Sequence, residues 1–447
     1  MVISTETTET PWAELTPDEK MEQRLAAWLA AKDVEFTSQQ AEADYKARIT
    51  RIIDSIKLKK PDRVPIIPRI FSPGFPAVYC GYTQKDLMYD VDKAIEAANR
   101  CTLDFQFDTK VSASAPQGRV MELLDDKQRK WPGHGVPDNS GTQFIEGEYM
   151  KADEYDDFIL DESNFRWRTY LPRIWGAAEP LGQLSLDNAR SLGIPEVQTA
   201  LKKLMEAGKE ARRWEGKIAA VNRKLTEAGY PDMLGSAAGL GGAPFDRMGD
   251  NLRGQRGIAL DLYQRPEKLL EAIDVLTKKR LLQIRKTSEK AKLGGSPIVG
   301  FALHKGADGF MSDEQFRTFY WPSLRQICLA LIEEGFVPQL RAQGGYNSRL
   351  EAVRDLPKGK VIWWFDSTDM ERAKEVLGDR ACIQGNVPMS LISTGTPEET
   401  DAYCRHLIDT AGKNGGFMLS TGAGLDSDSK VENVRAMVKT AKEYGIY

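Results

Sequence analysis

Short apolar segments recur along the chain, and most of them run into a polar or charged residue. Eight of them read as β-strands: Val64–Arg69, Leu103–Asp108, Asp232–Ser236, Ile298–His304, Val337–Arg341, Val361–Asp366, Ala381–Asn386 and Phe417–Thr421. β-Branched and aromatic residues fill the interior of a parallel barrel, and its carboxyl-terminal strand ends carry the chemistry. The pattern predicts an α/β fold, a (β/α)8 TIM barrel with its active site at those ends.

Segments with helical periodicity lie between several of these strands and would supply the crossovers that parallel strands need. Examples are Pro266–Lys290, Asp313–Glu334 and Pro397–Lys413. Side chains alternate between the two faces of a strand. One of Trp363 and Trp364 is therefore expected to face the barrel interior, and the other the helices.

Residues 1–60 precede the first strand and form an N-terminal helical extension. Thr16, Pro17 and Glu19 have the spacing of a helix start with a capping box. Two amphipathic helices, Pro17–Lys32 and Gln39–Lys57, follow. They are expected to cover the barrel's side or to contact a second subunit, which would make a homodimer.

Residues 61–447 then form the barrel, with a long insertion at about 112–230 after the second strand. The insertion is too long for an ordinary crossover. Loops after barrel strands face the active site, so it is either a lid or a helical elaboration on the side.

The composition of the chain bears on its partners and its location in the cell. The 447 residues include 61 basic and 65 acidic ones, which argues against a nucleic-acid or membrane-surface partner. Five cysteines are scattered without a pairing motif, as in a reducing cytoplasm. The sequence has neither an apolar run long enough to span a membrane nor a signal peptide, so a cytoplasmic protein is predicted.

Candidate catalytic residues stand at the strand ends. His304 has the position of a general acid, although a histidine there could also bond a loop carbonyl. Asp108 and Asp366 are candidates for a base or for a group that orients the histidine. No metal site is predicted, because Asp108, His304, Asp366 and Cys382 lack the spacing of metal ligands.

Arginines and aromatic rings gather at the same ends. A buried arginine needs a carboxylate or a substrate anion, and both alternatives stay open here. Rings beside a cation suit a small aromatic ligand. The candidate substrate-binding residues are Arg69, Arg256, Arg341, Gln343, Tyr346, Trp363 and Trp364.

Three segments resemble the uroporphyrinogen decarboxylase superfamily: Arg51–Pro65, Leu377–Pro388 and the stretch from Gly395–Glu399 to Gly415–Gly422. The resemblance implies a (β/α)8 barrel over residues 45–447. It also implies that Asp108 corresponds to the catalytic aspartate of the decarboxylase and Arg69 to one of its arginines.

Three other segments are more similar to the corrinoid-dependent methyltransferases that demethylate aryl methyl ethers: Ala243–Gly257, His304–Phe316 and Leu356–Trp363. This resemblance implies a corrinoid protein as the methyl acceptor. It also implies a zinc site, but the ligand spacing falls on Cys328, Gln343 and Trp364. The superfamily's other zinc arrangement falls on Arg341, Gln343 and Ala423, and neither set matches. The chain is therefore expected to lack zinc and to hold no cofactor tightly.

Three functions follow as hypotheses. The first is methyl transfer from a methoxylated or phenolic aromatic substrate without zinc, by acid–base catalysis at His304. The second is a metal-independent decarboxylase or carbon–carbon lyase of a phenolic acid. The third is a non-catalytic protein that binds a small molecule.

Overall fold

The computed structural model describes residues 10–70, 73–113, 115–185, 187, 189–288 and 293–447. Their strands, in chain order, are β1 (Arg129–Pro132), β2 (Gly135–Val136), β3 (Gln143–Phe144), β4 (Ile298–Leu303), β5 (Val337–Ala342), β6 (Ile362–Phe365), β7 (Cys382–Val387) and β8 (Phe417–Thr421).

The α-helices of the described residues begin with the N-terminal extension and end at the C-terminus. They are α1 (Pro17–Ala30), α2 (Gln39–Ile56), α3 (Gly74–Cys80), α4 (Gln84–Tyr89), α5 (Val91–Phe105), α6 (Gly118–Leu124), α7 (Tyr155–Leu160), α8 (Glu162–Phe165), α9 (Leu171–Ile174), α10 (Pro195–Glu227), α11 (Pro244–Arg247), α12 (Gly254–Gln264), α13 (Pro266–Ser288), α14 (Asp313–Gln315), α15 (Trp321–Glu333), α16 (Met370–Leu377), α17 (Met389–Thr394), α18 (Pro397–Thr410) and α19 (Val431–Glu443). Turns of π-helix occupy Arg166–Tyr170, Met248–Arg253 and Phe316–Tyr320, and 3-10 turns occupy Trp12–Glu14, Gly176–Gln183, Ala189–Gly193, Ala238–Leu240 and Asn347–Arg349.

A parallel sheet in the order β4-β5-β6-β7-β8 is the centre of the molecule. Strand and helix alternate along this half of the chain, so the predicted α/β class is confirmed. The predicted crossover helices are also present, although residues 289–290 of the first lie outside the described residues. In register, Arg341 of β5 is opposite Trp364 of β6, which is opposite Gln384 of β7. These side chains therefore share one face of the sheet.

The two faces of the sheet pack against different parts of the chain. Leu340, Trp363 and Ile383 belong to the large core that the sheet forms with the surrounding helices. Residues of the opposite face at the strand starts, such as Ile362 and Met418, join a second core with α1 and α2. Arg341 and Trp364 lie on that second face, nearer the strand ends. As predicted, the two tryptophans point to opposite sides.

The N-terminal extension closes the amino-terminal ends of the strands rather than the side of the molecule. Its helix α1 starts with the predicted capping box, in which Thr16 accepts from the backbone of Glu19 and Glu19 accepts in return. Trp28 and Ile49 are buried in the core beneath the strands. The predicted active site would therefore lie at the opposite, carboxyl-terminal end of the sheet.

Three predicted strands are not strands in the structure. Val64–Arg69 is extended but carries prolines at 65 and 68, which have no N–H for a ladder. Leu103–Asp108 lies largely in α5, which continues to Phe105. Asp232–Ser236 is a turn that follows Pro231. A closed ring of eight regular strands is therefore not present in the described residues.

These segments still hydrogen-bond in the order that a barrel requires. Leu419 of β8 accepts from Ile67 (2.9 Å), and Ile66 accepts from the backbone of Asp108 (3.0 Å). Pro231 accepts from Lys110 (3.0 Å), and Ile298 of β4 accepts from Gly235 (3.3 Å). One or two backbone hydrogen bonds at each step thus replace ladders on the side of the sheet between β8 and β4.

The insertion forms a layer of its own, with the small sheet β2-β1-β3 and the long helix α10. It contacts the rest of the chain near α12 and α13, where Arg253 donates to the carbonyl of Met150 (2.5 Å) and Glu146 accepts from the backbone of Gln255 (2.7 Å). Among the described residues, no helix has the length and apolar character needed to cross a membrane.

Candidate active site

His304 directly follows β4 and is held by a carboxylate on one of its two ring nitrogens. Its Nδ1 lies 2.5 Å from Oδ2 of Asp250, which belongs to the π-helical turn Met248–Arg253. Lys305 donates to the other oxygen of Asp250. The side chain of His304 is 40% exposed, so its ring can be reached from solvent. A carboxylate on Nδ1 fixes the ring and leaves Nε2 for proton transfer.

Two neighbouring carboxylates support this histidine in different ways. Burial acts to raise the pKa of Asp250, but hydrogen bonds from His304 and Lys305 outweigh it and lower that pKa. Burial, followed by the charge of Asp250, raises the pKa of Asp246 to about 6. Asp246 accepts the backbone N–H groups of His304 (3.0 Å) and Lys305 (2.9 Å) and the hydroxyl of Tyr320 (2.7 Å). Asp246 thereby fixes the backbone of His304 and Lys305.

Gln343, just after β5, connects His304 to Arg341. With its amide oxygen assigned to face them, Gln343 accepts from Nε2 of His304 (3.3 Å) and from Arg341 (2.6 Å). The opposite orientation would turn the amide nitrogen toward donors. A proton donor and a guanidinium therefore lie on neighbouring strands, joined by one amide.

Arg341 carries a buried positive charge. Among the described residues it makes no ion pair with a carboxylate, and it is only 7% exposed. Burial, then the charge of Arg69, lowers the pKa of Arg341 to about 9, while Asp366 acts in the opposite direction. Burial also lowers the pKa of Arg69. Asp366 accepts from the backbone of Gly344 (3.1 Å). An anion placed beside Arg341 would offset the cost of burying its charge.

The aromatic candidates divide between the two faces of the sheet. Trp364 shares the face of Arg341, and its indole N–H donates to the carbonyl of Thr421 (2.9 Å). Trp363 and Tyr346 instead contact each other in the helical core, with ring centroids 6.3 Å apart. Only Trp364 is therefore placed to border a substrate at the strand ends.

Two further candidates are not brought to this cluster. Asp108 is completely buried and binds Arg51 (3.0 Å), Arg63 (2.8 Å) and the backbone of Ile66 (2.7 Å). These bonds occupy both of its oxygens. The side chain of Arg256 is exposed, and its backbone donates to Glu146 of the insertion (3.3 Å). Neither residue contacts His304, Arg341 or Gln343.

The positions on which the zinc ligands of the demethylases would fall do not fit a metal. Cys328 lies within α15 and is buried in the helical core, where burial raises the pKa of its thiol. Gln343 faces Arg341, and Trp364 bonds a carbonyl. Among the described residues, no three side chains of His, Cys, Asp or Glu come together as metal ligands would. No step of the chemistry can be assigned to zinc on these residues.

Asp246 and Asp250 contact His304, and strand-end reasoning missed both as candidate site residues. They lie on a helical segment before β4, and the contact from Asp250 to His304 spans 54 residues. Their spacing could have identified them as a pair, because carboxylates four positions apart on a helix share a face.

Comparisons with known proteins agree with this arrangement. Residues 234–444, which include β4 to β8 and His304, match the family model of uroporphyrinogen decarboxylase (URO-D). This part of the chain is therefore similar to uroporphyrinogen decarboxylase, and the resemblance to that superfamily is confirmed.

Particular relatives include the uroporphyrinogen decarboxylase of Azoarcus sp., 25% identical over 260 residues, which are 57% of this chain and 67% of the relative. The decarboxylase of Syntrophotalea carbinolica is 24% identical over 205 residues, 45% of this chain and 57% of the relative. The chain thus spans two thirds of the first relative and little more than half of the second. A solved methyltransferase from Methanosarcina mazei aligns with a TM-score of 0.54 and 16% identity, covering 88% of this chain and 98% of that one. At this identity the alignment shows a shared fold.

Proposed function

We propose that the chain is an enzyme that transfers a proton to a small aromatic substrate bearing a carboxylate or phenolate. The observation that carries the proposal is the row Asp250–His304–Gln343–Arg341 at the strand ends. It combines an oriented imidazole with a buried guanidinium that makes no ion pair with a carboxylate among the described residues. We further propose that the hydrogen bonds linking β8 to β4 through the three segments that are not strands complete a (β/α)8 barrel over residues 61–447. Residues 1–60 are then its extension.

In this proposal each side chain has one role. The imidazole of His304 donates a proton from Nε2, and the carboxylate of Asp250 orients the ring from Nδ1. Arg341 anchors the substrate anion, with Arg69 and Asp366 beside it and Trp364 bordering the ring. General acid catalysis of this kind contributes about 10²–10⁴ in rate.

The first candidate reaction is demethylation of an aryl methyl ether. The methyl carbon is attacked by a nucleophile such as the cob(I)alamin of a separate corrinoid protein, which supplies the electron pair for the new carbon–cobalt bond. The carbon–oxygen bond breaks, and the ether oxygen takes the proton from His304 and leaves as a phenol. No cofactor is held tightly by the chain in this scheme.

The second candidate reaction is decarboxylation of a phenolic acid. The bond between the ring and the carboxyl carbon breaks, its electrons stay on the ring carbon, and that carbon takes the proton from His304 as carbon dioxide leaves. The family model that matches residues 234–444, and the relatives from Azoarcus sp. and Syntrophotalea carbinolica, carry the name of a decarboxylase, which favours this second reaction.

A doubly labelled substrate separates the candidates. Purified protein is incubated with 4-hydroxy-3-methoxybenzoate carrying ¹³C in the methoxy and carboxyl groups, with and without cob(I)alamin. Methoxy label that moves to cobalt supports demethylation, and carboxyl label that appears in carbon dioxide supports decarboxylation. A panel of methoxylated and hydroxylated benzoates extends the test.

Binding of these compounds without loss of either label would contradict the proposal and favour a non-catalytic binding protein. His304→Gln should lower turnover by about 10²–10⁴. His406→Gln, which changes an exposed histidine paired with Glu371 on α16, is the matched control and should not.

A cytoplasmic location belongs to the same proposal. It is supported by the five cysteines, each of which is a free thiol. A homodimer through the N-terminal helices is also proposed, and sedimentation velocity of the purified protein would test it.

A further inference from the structure

A cavity lies beside the His304 cluster, next to the glycine-rich loop Gly239–Ala243 that precedes α11. Its volume is about 610 Å³, and its walls are the loop Gly239–Ala243, residues of α11 and the following π-turn, one side of α13, and Glu162 of the insertion. Asp246 and Asp250 lie in the wall that separates it from His304. Nothing in the proposed reaction uses this space.

Three cations and three carboxylates line this cavity. The cations are Arg247, Lys279 and Arg280, and the carboxylates are those of Glu162, Asp246 and Asp250. The carboxylate of Glu162 is already engaged, because Arg166 donates to one oxygen (3.0 Å) and Lys279 to the other.

The two acidic residues in the wall are occupied as well. Asp246 accepts two backbone N–H groups and a tyrosine hydroxyl. Asp250 binds His304 and Lys305. The carboxylates that border the cavity are therefore hydrogen-bonded to other partners, and among them the charge of Glu162 also raises the pKa of Arg247 against the effect of burial.

Both arginines have hydrogen-bonding capacity left. Arg247 is partly buried, and its Nε has no hydrogen-bond partner in the described structure although the atom is inaccessible to solvent. Arg280 uses one nitrogen to donate to the carbonyl of Gly239 (2.7 Å). Burial lowers the pKa of each, and the charge of Arg247 lowers that of Arg280 further. Two guanidinium groups that repel each other in a partly buried space favour a shared counter-ion.

We infer that this cavity is a second ligand site, which binds an oxyanion, the phosphate or carboxylate group of a small molecule, between Arg247 and Arg280. Asn251, Gln283 and Thr287 also line the cavity and offer polar groups to the remaining oxygens. Planar guanidinium groups suit the oxygens of phosphate and carboxylate in pairs.

The glycine-rich loop is held in position because its backbone passes close to the backbone of β4. A Cβ atom on Gly241 would lie 2.0 Å from the carbonyl oxygen of Gly300 in β4, so only glycine fits there. The loop is thereby pressed against the edge strand and leaves room for a ligand toward α13. The site does not depend on which reaction occurs at His304.

Titration calorimetry with inorganic phosphate tests the inference. The proteins compared are the wild type, Arg247→Gln, Arg280→Gln and, as a control, Arg341→Gln at the neighbouring site. Arg341→Gln should retain a phosphate site of wild-type affinity, whether or not it loses a further anion at the proposed active site. Arg247→Gln and Arg280→Gln should each bind phosphate at that site about tenfold more weakly or worse, because each loses a charge-assisted hydrogen bond. A repeat with benzoate in the Arg341→Gln background shows whether a carboxylate serves as well as a phosphate.

The outcomes separate the two sites. Binding that is lost only in Arg341→Gln would place the anion at the proposed active site and overturn the inference, as would binding of neither anion. Thermal unfolding without ligand checks that each variant is folded. Arg280→Lys, which keeps the charge and loses the planar fork, should retain part of the affinity and gives a second reading if Arg280→Gln does not fold.

Discussion

A histidine with a carboxylate on one nitrogen and an amide on the other is placed for proton transfer rather than for packing. His304→Gln keeps a polar side chain of similar length but removes the titratable group. kcat should fall by about 10²–10⁴ with little change in KM, because proton donation acts mainly in the transition state. Steady-state kinetics on the substrate identified by the labelling experiment measure both constants. An equal loss in His406→Gln would show that the effect is not specific to the site.

Arg341 should behave differently from His304, since an anchor binds the ground state as well as the transition state. Arg341→Gln is expected to raise KM by about tenfold or more, and the loss should be smaller for substrate analogues that lack the anionic group. Arg341→Lys should recover only part, because an ammonium lacks the bidentate fork. If KM is unchanged in Arg341→Gln, Arg341 does not bind the substrate anion and that part of the proposal is wrong.

Asp246 should make stability depend on pH in an unusual direction. Its folded-state pKa of about 6 lies above the usual aspartate value of about 3.9. The folded state then binds this proton more readily than the unfolded state, so this carboxyl adds stability as the pH falls through 6 and loses that contribution as the pH rises.

Urea unfolding of the wild type and of Asp246→Asn at pH 7 and pH 5 measures this effect. The wild type should exceed the variant in free energy of unfolding by about 1 kcal/mol more at pH 5 than at pH 7. The comparison cancels the other carboxylates, whose titration is common to both proteins. An equal or smaller difference at pH 5 would contradict the raised pKa.

Residue identity alone predicts part of this site. His304 and Arg341 follow from strand ends, and alternation separates Trp363 from Trp364. Asp108 shows the limit of that reasoning. Its position after an apolar segment suggested catalysis, but Arg51 and Arg63, which come from a helix and a loop, satisfy it completely. The sequence pattern did not identify which cation would reach it.

At the level of elements, the five strands from β4 to β8 were predictable because each is a largely apolar run, and all but β5 are followed by an α-helix. The three earlier segments were not. Prolines at 65, 68 and 231 remove ladder donors, and the helical tendency of Leu103–Phe105 extends α5 into the predicted second strand. At these three segments, missing backbone N–H donors and helix formation prevented regular strands. The segments still hydrogen-bond to one another in the order of a barrel.

The packing of α1 and α2 beneath the strands makes the N-terminal extension part of the fold. Trp28 is 1% exposed and lies in the core with Ile298 and Met418. Trp28→Ala should cost about 3–5 kcal/mol of unfolding free energy, because it leaves a cavity under the sheet. Chemical denaturation measures the loss. Trp167→Ala is the matched control, since that side chain is 57% exposed, and its cost should stay below about 0.5 kcal/mol. Similar costs for both would mean that the extension is not packed as described.

For the whole molecule, the question is how firmly the insertion is attached to the sheet-bearing part. Its two chain connections are supplemented by hydrogen bonds to the buried ion pair of Arg253 and Asp261. Arg253 donates to Asp261 (2.5 Å), which like Arg253 follows the insertion, and to the carbonyl of Met150 within the insertion (2.5 Å). Tyr155 of α7 donates to the same aspartate (2.7 Å). A buried carboxylate with donors from both parts joins them.

Arg253→Gln should therefore loosen the insertion as well as destabilise the protein. It removes the closest partner of Asp261, which is completely buried, and should cost about 3 kcal/mol. Amide hydrogen exchange should accelerate first in residues 145–175, which lie around Met150 and Tyr155, and less in β5–β7. Arg213→Gln is the control, because that arginine pairs with Glu210 on the solvent side of α10, and it should leave both stability and exchange nearly unchanged. Uniform acceleration across insertion and sheet would instead mean that the two parts unfold only together, with Asp261 serving the stability of both equally.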